Sequence, residues 1–194
     1  MFEPLAWQEA PYQDDHSPLI LLTGGFAGGK TDLGCAKVHR FCKQHTDARA
    51  FLIRKTTSAL TNGLALTFDR FHIQNDPSVE VVQRKSEKVF RYANGSRVYY
   101  GRVDWLRQWY EQLRQHNAPI IIFADETHEL TVQDWAWLLG LQGIRQKIVS
   151  LVEPYAKFLS LPQATVYPST AADNPYLDAA HRRLLKNFEA SFQP

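Results

Sequence analysis

Sulfur is scarce in this chain of 194 residues, which has two cysteines and one methionine, and neither sign of charge dominates it. Two cysteines cannot staple a disulfide-dense secreted scaffold, and they point instead to free thiols in a reducing compartment. The opening stretch MFEPLAWQEAPYQDD carries acids and lacks a basic segment followed by an apolar one, so no signal peptide is expected. Apolar runs such as Leu19–Leu22 and Ile120–Ala124 are far too short to span a bilayer. Lysine and arginine total 22 against 20 aspartate and glutamate, a formal charge of +2. Bulk charge therefore neither demands nor forbids a nucleic-acid partner. What is present is ordinary for a packed domain: 44% hydrophobic, 12% aromatic and 22% charged residues. That balance excludes a disordered, collagenous or coiled-coil chain, and the length predicts a single domain over residues 1–194.

Periodicity divides the chain into alternating strands and helices. Residues 1–18 are aperiodic and read as an irregular lead-in to a buried strand, Leu19–Thr23. A glycine-rich turn follows, then a helix over Lys30–Gln44, then a second buried strand over Ala50–Ile53. Val79–Gln83, Lys88–Tyr92 and Arg97–Tyr100 are short β-prone runs. The last two are joined by Ala93-Asn94-Gly95-Ser96, and Asn-Gly is a strong hairpin signal. Trp105, Leu106, Trp109 and Leu113 share one helical face, which Pro119 brings to an end. Ile120–Ala124 is apolar without alternation, the mark of a central parallel strand. Thr131 with Asp134 predicts a helix N-cap, Ala164–Tyr167 a last strand, and Leu177–Phe188 a final helix. The expectation is an α/β fold: a mostly parallel central sheet flanked by helices, with an inserted antiparallel hairpin.

Two segments carry chemistry. Gly24-Gly25-Phe26-Ala27-Gly28-Gly29-Lys30-Thr31 satisfies G-x-x-x-x-G-K-[ST] between a strand and a helix. Consecutive backbone N–H groups must approach phosphate oxygens closely there, and side chains on Gly24, Gly25, Gly28 and Gly29 would obstruct them. Lys30 would reach the terminal phosphates of ATP, the Thr31 hydroxyl would ligate Mg2+, and the helix N-terminus adds partial positive charge. A glycine-rich turn without ligand is the plainer alternative. Further on, the apolar strand delivers Asp125 and Glu126 at its C-terminal end, where parallel sheets bind ligands. Asp125 would complete the Mg2+ shell with Thr31, and Glu126 would orient or deprotonate the attacking water. A solvated acidic turn is the alternative there.

With these residues in place the chain resembles the ATPase domain of the large subunit of tailed-phage terminases, the motors that package DNA. The resemblance covers nearly the whole chain. It takes in Trp7-Gln8, the strand ending Ile53-Arg54-Lys55-Thr56, the hairpin around Asn94-Gly95-Ser96, Asp125-Glu126, and Ser169-Thr170 leading to Asn174-Pro175. It implies a P-loop NTPase of ASCE type that hydrolyses ATP with Mg2+ to move double-stranded viral DNA. It further implies a homo-oligomeric ring working with a terminase small subunit and a portal, no membrane partner, and residence in the cytoplasm of an infected or lysogenic bacterial host. Gln8 would contact the adenine edge, its alternative being a solvated glutamine. Ser169 and Thr170 would form the coupling motif that senses the γ-phosphate, the alternative being a polar strand end. Arg54 would line the nucleotide pocket or be an exposed strand end.

Two departures from the family stand out. Phe26 takes a P-loop place that is often basic in the family, so another cation must meet the γ-phosphate, with Arg102, Arg107, Arg114 and Arg145 as candidates in trans. No residues remain for the family's nuclease domain, so no nuclease activity is expected. The sheet strand that follows the last helix in the family is also missing, which predicts a P-loop strand short of a neighbour. A helicase-like ATPase stimulated by nucleic acid, or a truncated nucleotide-binding module without turnover, are the competing functions.

Other clusters carry less. Cys35, His39, Cys42 and His45 stretch roughly 15 Å along one helix at 1.5 Å per residue, so they cannot surround one zinc ion. His128 beside Glu126 is a second candidate base. Arg84, Lys85, Lys88, Arg91 and Arg97 on the hairpin could meet DNA phosphates or form a solvated edge.

Overall fold

Every residue of the strand β1, Leu19–Gly24, is buried, and its side chains divide between two cores. Ile20 and Leu22 face one side of the sheet; Leu19 and Leu21 face the other. That division, the period-two alternation of a strand covered on both faces, organises the whole chain. The computed structural model describes residues 2–74, 76–84, 87–114, 117–152, 161, 163–170, 173–180 and 183.

The other strands are β2 (Arg49–Arg54), β3 (Val79–Arg84), β4 (Glu87–Tyr92), β5 (Arg97–Arg102), β6 (Ile120–Ala124), β7 (Gln146–Ser150) and β8 (Ala164–Ser169). They form one sheet in the order β3-β4-β5-β2-β6-β7-β1-β8. From β5 to β8 every pairing is parallel, and β3-β4-β5 is antiparallel. One face is covered by α2 (Lys30–Gln44) and a helical stretch over 57–73. That stretch comprises α3 (Thr57–Ala59), α4 (Ala65–Phe68) and two π-turns, Leu60–Leu64 and Asp69–Ile73. The opposite face is covered by α5 (Val103–Arg114) and α6 (Val132–Gly140), through Leu106, Tyr110, Trp135 and Leu138. The side chains of Trp109 and Leu113 lie outside the described residues. No helix among the described residues is long and apolar enough to cross a membrane.

Most expected elements are present within one or two residues. Thr131 caps α6 as anticipated: its hydroxyl accepts from the Asp134 amide at 3.2 Å while the Asp134 carboxylate accepts from the Thr131 amide at 3.2 Å. The Asn-Gly turn joins β4 to β5 with Gly95 at φ +87°. It also caps α2, because the Asn94 amide donates to the carbonyls of Cys42 and His45 at 2.8 and 3.3 Å, satisfying end groups the helix cannot.

Three expectations are corrected. The lead-in is not irregular, since α1 forms over Ala6–Gln13 with Pro11 inside it. It is fixed from outside: the buried Lys37 ammonium donates to the carbonyls of Tyr12 and Asp14 at 3.1 and 2.8 Å. The P-loop strand is not short of a neighbour, because β1 pairs with β7 on one side and β8 on the other. And β7 itself, Gln146–Ser150, was not anticipated at all. The expected final helix falls mostly outside the described residues.

Helix α2 lies unusually close to the sheet. A Cβ built on Gly34 would fall 2.2 Å from the Phe123 ring of β6, well inside van der Waals contact. Gly34→Ala must therefore push α2 off the sheet. A loss of about 2–3 kcal/mol in unfolding free energy by urea titration is expected from overpacking of this kind, whereas an unchanged midpoint would show that the helix is free to shift.

Candidate nucleotide site

The loop between β1 and α2 is shaped by close backbone approach. Gly24 has φ +116°, and a Cβ there would lie 1.7 Å from the Ser169 carbonyl oxygen, so no other residue fits. Beneath Gly28 sits the Ser169 side chain, whose hydroxyl donates to the Thr23 carbonyl at 3.0 Å. Gly29 has φ +84° and accepts from the Gln8 amide at 2.9 Å, while Gln8 Oε1 accepts from the Leu5 amide at 2.8 Å. Asn174 donates to the Ala27 carbonyl at 2.7 Å. The loop is thus braced by α1, by the end of β8 and by the turn after it. The Lys30 side chain is buried and its ammonium donates back to the carbonyls of Gly24, at 3.0 Å, and Gly25.

The acidic pair stands at the end of β6. The Asp125 carboxylate is fully buried and surrounded by donors. The Ser150 hydroxyl donates to Oδ1 at 2.5 Å, and the Thr31 hydroxyl lies 3.2 Å from each oxygen. Arg54 donates to Oδ2 through Nε at 2.9 Å and Nη2 at 2.6 Å. Glu126 follows in the left-handed region, with φ +52° and ψ +47°. Its amide donates to the same Ser150 hydroxyl at 3.0 Å. Burial raises the Glu126 carboxyl above the ordinary range and the Asp125 charge adds to that, opposed by the neighbouring His128, Arg54 and Lys30. His128 Nδ1 lies 3.3 Å from one carboxylate oxygen and Arg54 Nη2 3.8 Å from the other.

The two motifs therefore converge. Thr31, at the start of α2, and Asp125, at the end of β6, share one hydrogen-bonded cluster although β1 and β6 are not adjacent strands. The strand between them is β7, and it supplies Ser150, the residue that sequence reading missed. Its signal was faint: a serine ending a five-residue strand that also contains Gln146 and Lys147. Ser169 and Thr170 are not in this cluster. Ser169 ends β8 and Thr170 follows it, and β8 is separated from β6 by β1 and β7. The Thr170 hydroxyl and amide bond to Asp173 at 2.9 and 2.6 Å. Gln8 is not solvated; it is buried under the loop. Of the other arginines, Arg102 pairs with Asp104, Arg107 pairs with Asp134 and lies over the Trp137 ring, and Arg145 donates its amide to the Ile120 carbonyl, at the far end of β6. The Arg114 side chain lies outside the described residues.

No protein-family model matches this sequence, and no curated protein shows a significant match. Solved structures do match in fold. The large terminase of a thermophilic bacteriophage superposes with a TM-score of 0.69 at 13% identity, over 99% of this chain and 51% of that one. The same phage protein in complex with ATP-gamma-S gives 0.62 at 15% identity, over 97% of this chain and 47% of that one. The large terminase ATPase domain of Thermus phage P74-26 gives 0.65 at 12% identity, over 100% of this chain and 90% of that one. The bacteriophage Phi-29 genome packaging motor assembly gives 0.54 at 14% identity, over 100% of this chain and 64% of that one. The fold is that of phage large-terminase ATPase domains. The chain spans about half the length of the thermophilic-phage terminase chains it matches.

Ser150 ties the acidic pair together through one hydroxyl. Removing a buried hydrogen bond to a charged group costs about 1.5–3 kcal/mol, so Ser150→Ala is expected to lower the unfolding free energy by that amount in denaturant titrations. A change under about 0.5 kcal/mol, the range of ordinary surface substitutions, would contradict this assignment.

Proposed function

We propose that this chain is a single ATPase domain that binds Mg–ATP across the loop and the acidic pair, hydrolyses it, and belongs to a motor that packages double-stranded viral DNA. The observation that carries the proposal is the 3.2 Å approach of the Thr31 hydroxyl to the Asp125 carboxylate at the mouth of a glycine-lined loop. A hydroxyl and a carboxylate are the hard oxygen donors that magnesium takes, and the Arg54 guanidinium bonded to Asp125 supports an ionised carboxylate there. Thr31 and Asp125 would hold the ion, which when bound neutralises phosphate charge.

The chain's own groups do the rest. Amides from Gly25 to Thr31 and the α2 N-terminus face the phosphates. Lys30, released from the Gly24 and Gly25 carbonyls, would bind the β- and γ-phosphate oxygens as a point charge. Glu126 accepts the proton of a water whose oxygen bonds to the γ-phosphorus as the bond from that phosphorus to the β–γ bridging oxygen breaks, giving ADP and phosphate. Its left-handed backbone is held by Ser150, and such strain is characteristic of functional positions. Gln8 acts on the nucleotide through Gly29, since both ends of its amide are engaged. Ser169 supports the loop floor, and with Thr170 it would pass loop movement to the turn at Asn174. Ser150, bonded to both acids, is the better placed hydroxyl for coupling.

Fold likeness to the two large terminases and to the Phi-29 packaging motor supports the motor assignment. We further propose that its partners are double-stranded DNA, a small subunit, a portal and further copies in a ring, in the cytoplasm of a bacterial host; the likeness to a packaging motor assembly supports a place in such a complex.

Phosphate release by the purified protein, with and without double-stranded DNA, tests the proposal. Glu126→Gln should keep ATP affinity within about threefold and lose about 10²–10⁴ in turnover, the usual contribution of a positioned base. Lys30→Ala should lose nucleotide binding itself. Turnover in the unaltered protein no higher than in Lys30→Ala would contradict hydrolysis, and DNA-independent turnover would contradict the motor role.

A further inference from the structure

The Asp125 carboxylate is fully buried, and the cation directly hydrogen-bonded to it comes from Arg54 at the end of β2. Both guanidinium bonds fall on Oδ2, and the Thr31 hydroxyl is equidistant from the two oxygens. Oδ1 is taken by the Ser150 hydroxyl at 2.5 Å, which also holds the Glu126 amide, so a magnesium ion shared by Thr31 and Asp125 would meet Oδ2, the oxygen that Arg54 now holds. Two cations on one carboxylate oxygen repel each other, so one must yield.

Arg54 is built to move. Its side chain is 16% exposed, against 0% for Asp125. Beside it stands Gly63, where an added Cβ would only reach van der Waals contact, 3.6 Å from Nη1, so the missing side chain leaves about a methyl group's room on that flank of the guanidinium. Its other flank faces Glu126, whose Oε1 is 3.8 Å from Nη2. A guanidinium leaving Oδ2 thus stays in the mouth of the site, on the side where Glu126 would act. Besides Lys30 the loop brings no cation there: position 26 is phenylalanine, 37% exposed and uncharged.

Resting on the nucleotide assignment above, we infer that Arg54 is an exchangeable counter-ion: it holds Asp125 in the metal-free protein, surrenders it to magnesium, and then pairs with the γ-phosphate. The guanidinium is a fork suited to phosphate oxygens, and the same group neutralises a buried carboxylate when nucleotide is absent. The exchange has a distinctive consequence. With ADP the displaced arginine gains no γ-phosphate, so Arg54 opposes metal binding. With a triphosphate the same displacement brings a new ion pair. Arg54 would therefore make the site discriminate between triphosphate and diphosphate, and hasten metal loss once the γ-phosphate has left.

The test is a magnesium titration of fluorescent ADP binding, and of ATP-gamma-S binding by competition, in the unaltered protein, Arg54→Gln and Arg54→Lys. Glutamine keeps hydrogen-bonding capacity without charge, and lysine keeps the charge without the fork. For Arg54→Gln the half-saturating magnesium concentration with ADP should fall about tenfold, while affinity for Mg–ATP-gamma-S should fall about tenfold. Arg54→Lys should lie between. Opposite signs for the two nucleotides are the signature, since a merely structural arginine would weaken both together. Half-saturation with ADP unchanged within twofold, or loss of affinity for both nucleotides, would overturn the inference while leaving the nucleotide site standing. Should the unaltered protein bind neither nucleotide, the site assignment itself fails, and this inference with it.

Discussion

The approach of α2 to β6 governs everything at the site. Phe123 lies against Gly34 so closely that no side chain fits between them, and this contact fixes the start of α2 relative to the end of β6. Thr31 is one turn from Gly34 and Asp125 is two residues past Phe123. The distance between the phosphate loop and the acidic pair is therefore set in the core, not at the surface. Close packing of this kind is stiff, and a shift in one element is felt by its neighbours. The 3.2 Å separation of Thr31 and Asp125 is the visible result.

The strand order does the remaining work. Placing β7 between β1 and β6 puts Ser150 where its hydroxyl can bond to the Asp125 carboxylate and accept from the Glu126 amide. Thr127 then donates to the Ser150 carbonyl at 2.8 Å, and Trp135 donates its indole N–H to the Thr127 carbonyl at 3.0 Å. This chain of bonds holds the acids from the α6 side, while Arg54 holds them from β2. On the other flank β8 supports the loop from below. Ala27 and Glu126 are the two site residues with side chains and positive φ. Each is locked by neighbours, Ala27 through Asn174 and Glu126 through Ser150, as strained positions must be if they are to persist.

Much of this was legible in the residues, for physical reasons that differ by element. Helix α2 was readable because its boundaries are chemical: a glycine at its start and apolar positions at helical spacing. The hairpin was readable because Gly95 adopts the backbone that an Asn-Gly turn demands. The capping pair Thr131 and Asp134 is a local bond and needs no tertiary context. What escaped was non-local. Strand β7 is five residues long with two polar members ahead of its apolar pair, and it is a strand only because β1 and β6 flank it. Helix α1 contains a proline and has little intrinsic periodicity; Lys37 and Gln8 hold it in place. The partnership of Arg54 with Asp125 depends on the register of β2 against β6, in which Ile53 pairs with Ala124, and no spacing rule reveals that.

The central claim is that the amide loop and the buried carboxylate bind one and the same metal–nucleotide. Magnesium enhancement of ADP affinity in Asp125→Asn measures it most directly. The substitution leaves the loop glycines, Lys30 and Gln8 in place and, of the loop's own bonds, alters only that to Thr31, so metal-free ADP should bind as before within about threefold. The enhancement by magnesium should fall by tenfold or more. Full magnesium enhancement in Asp125→Asn would mean that the two motifs, though neighbours in the fold, do not act on a common ligand.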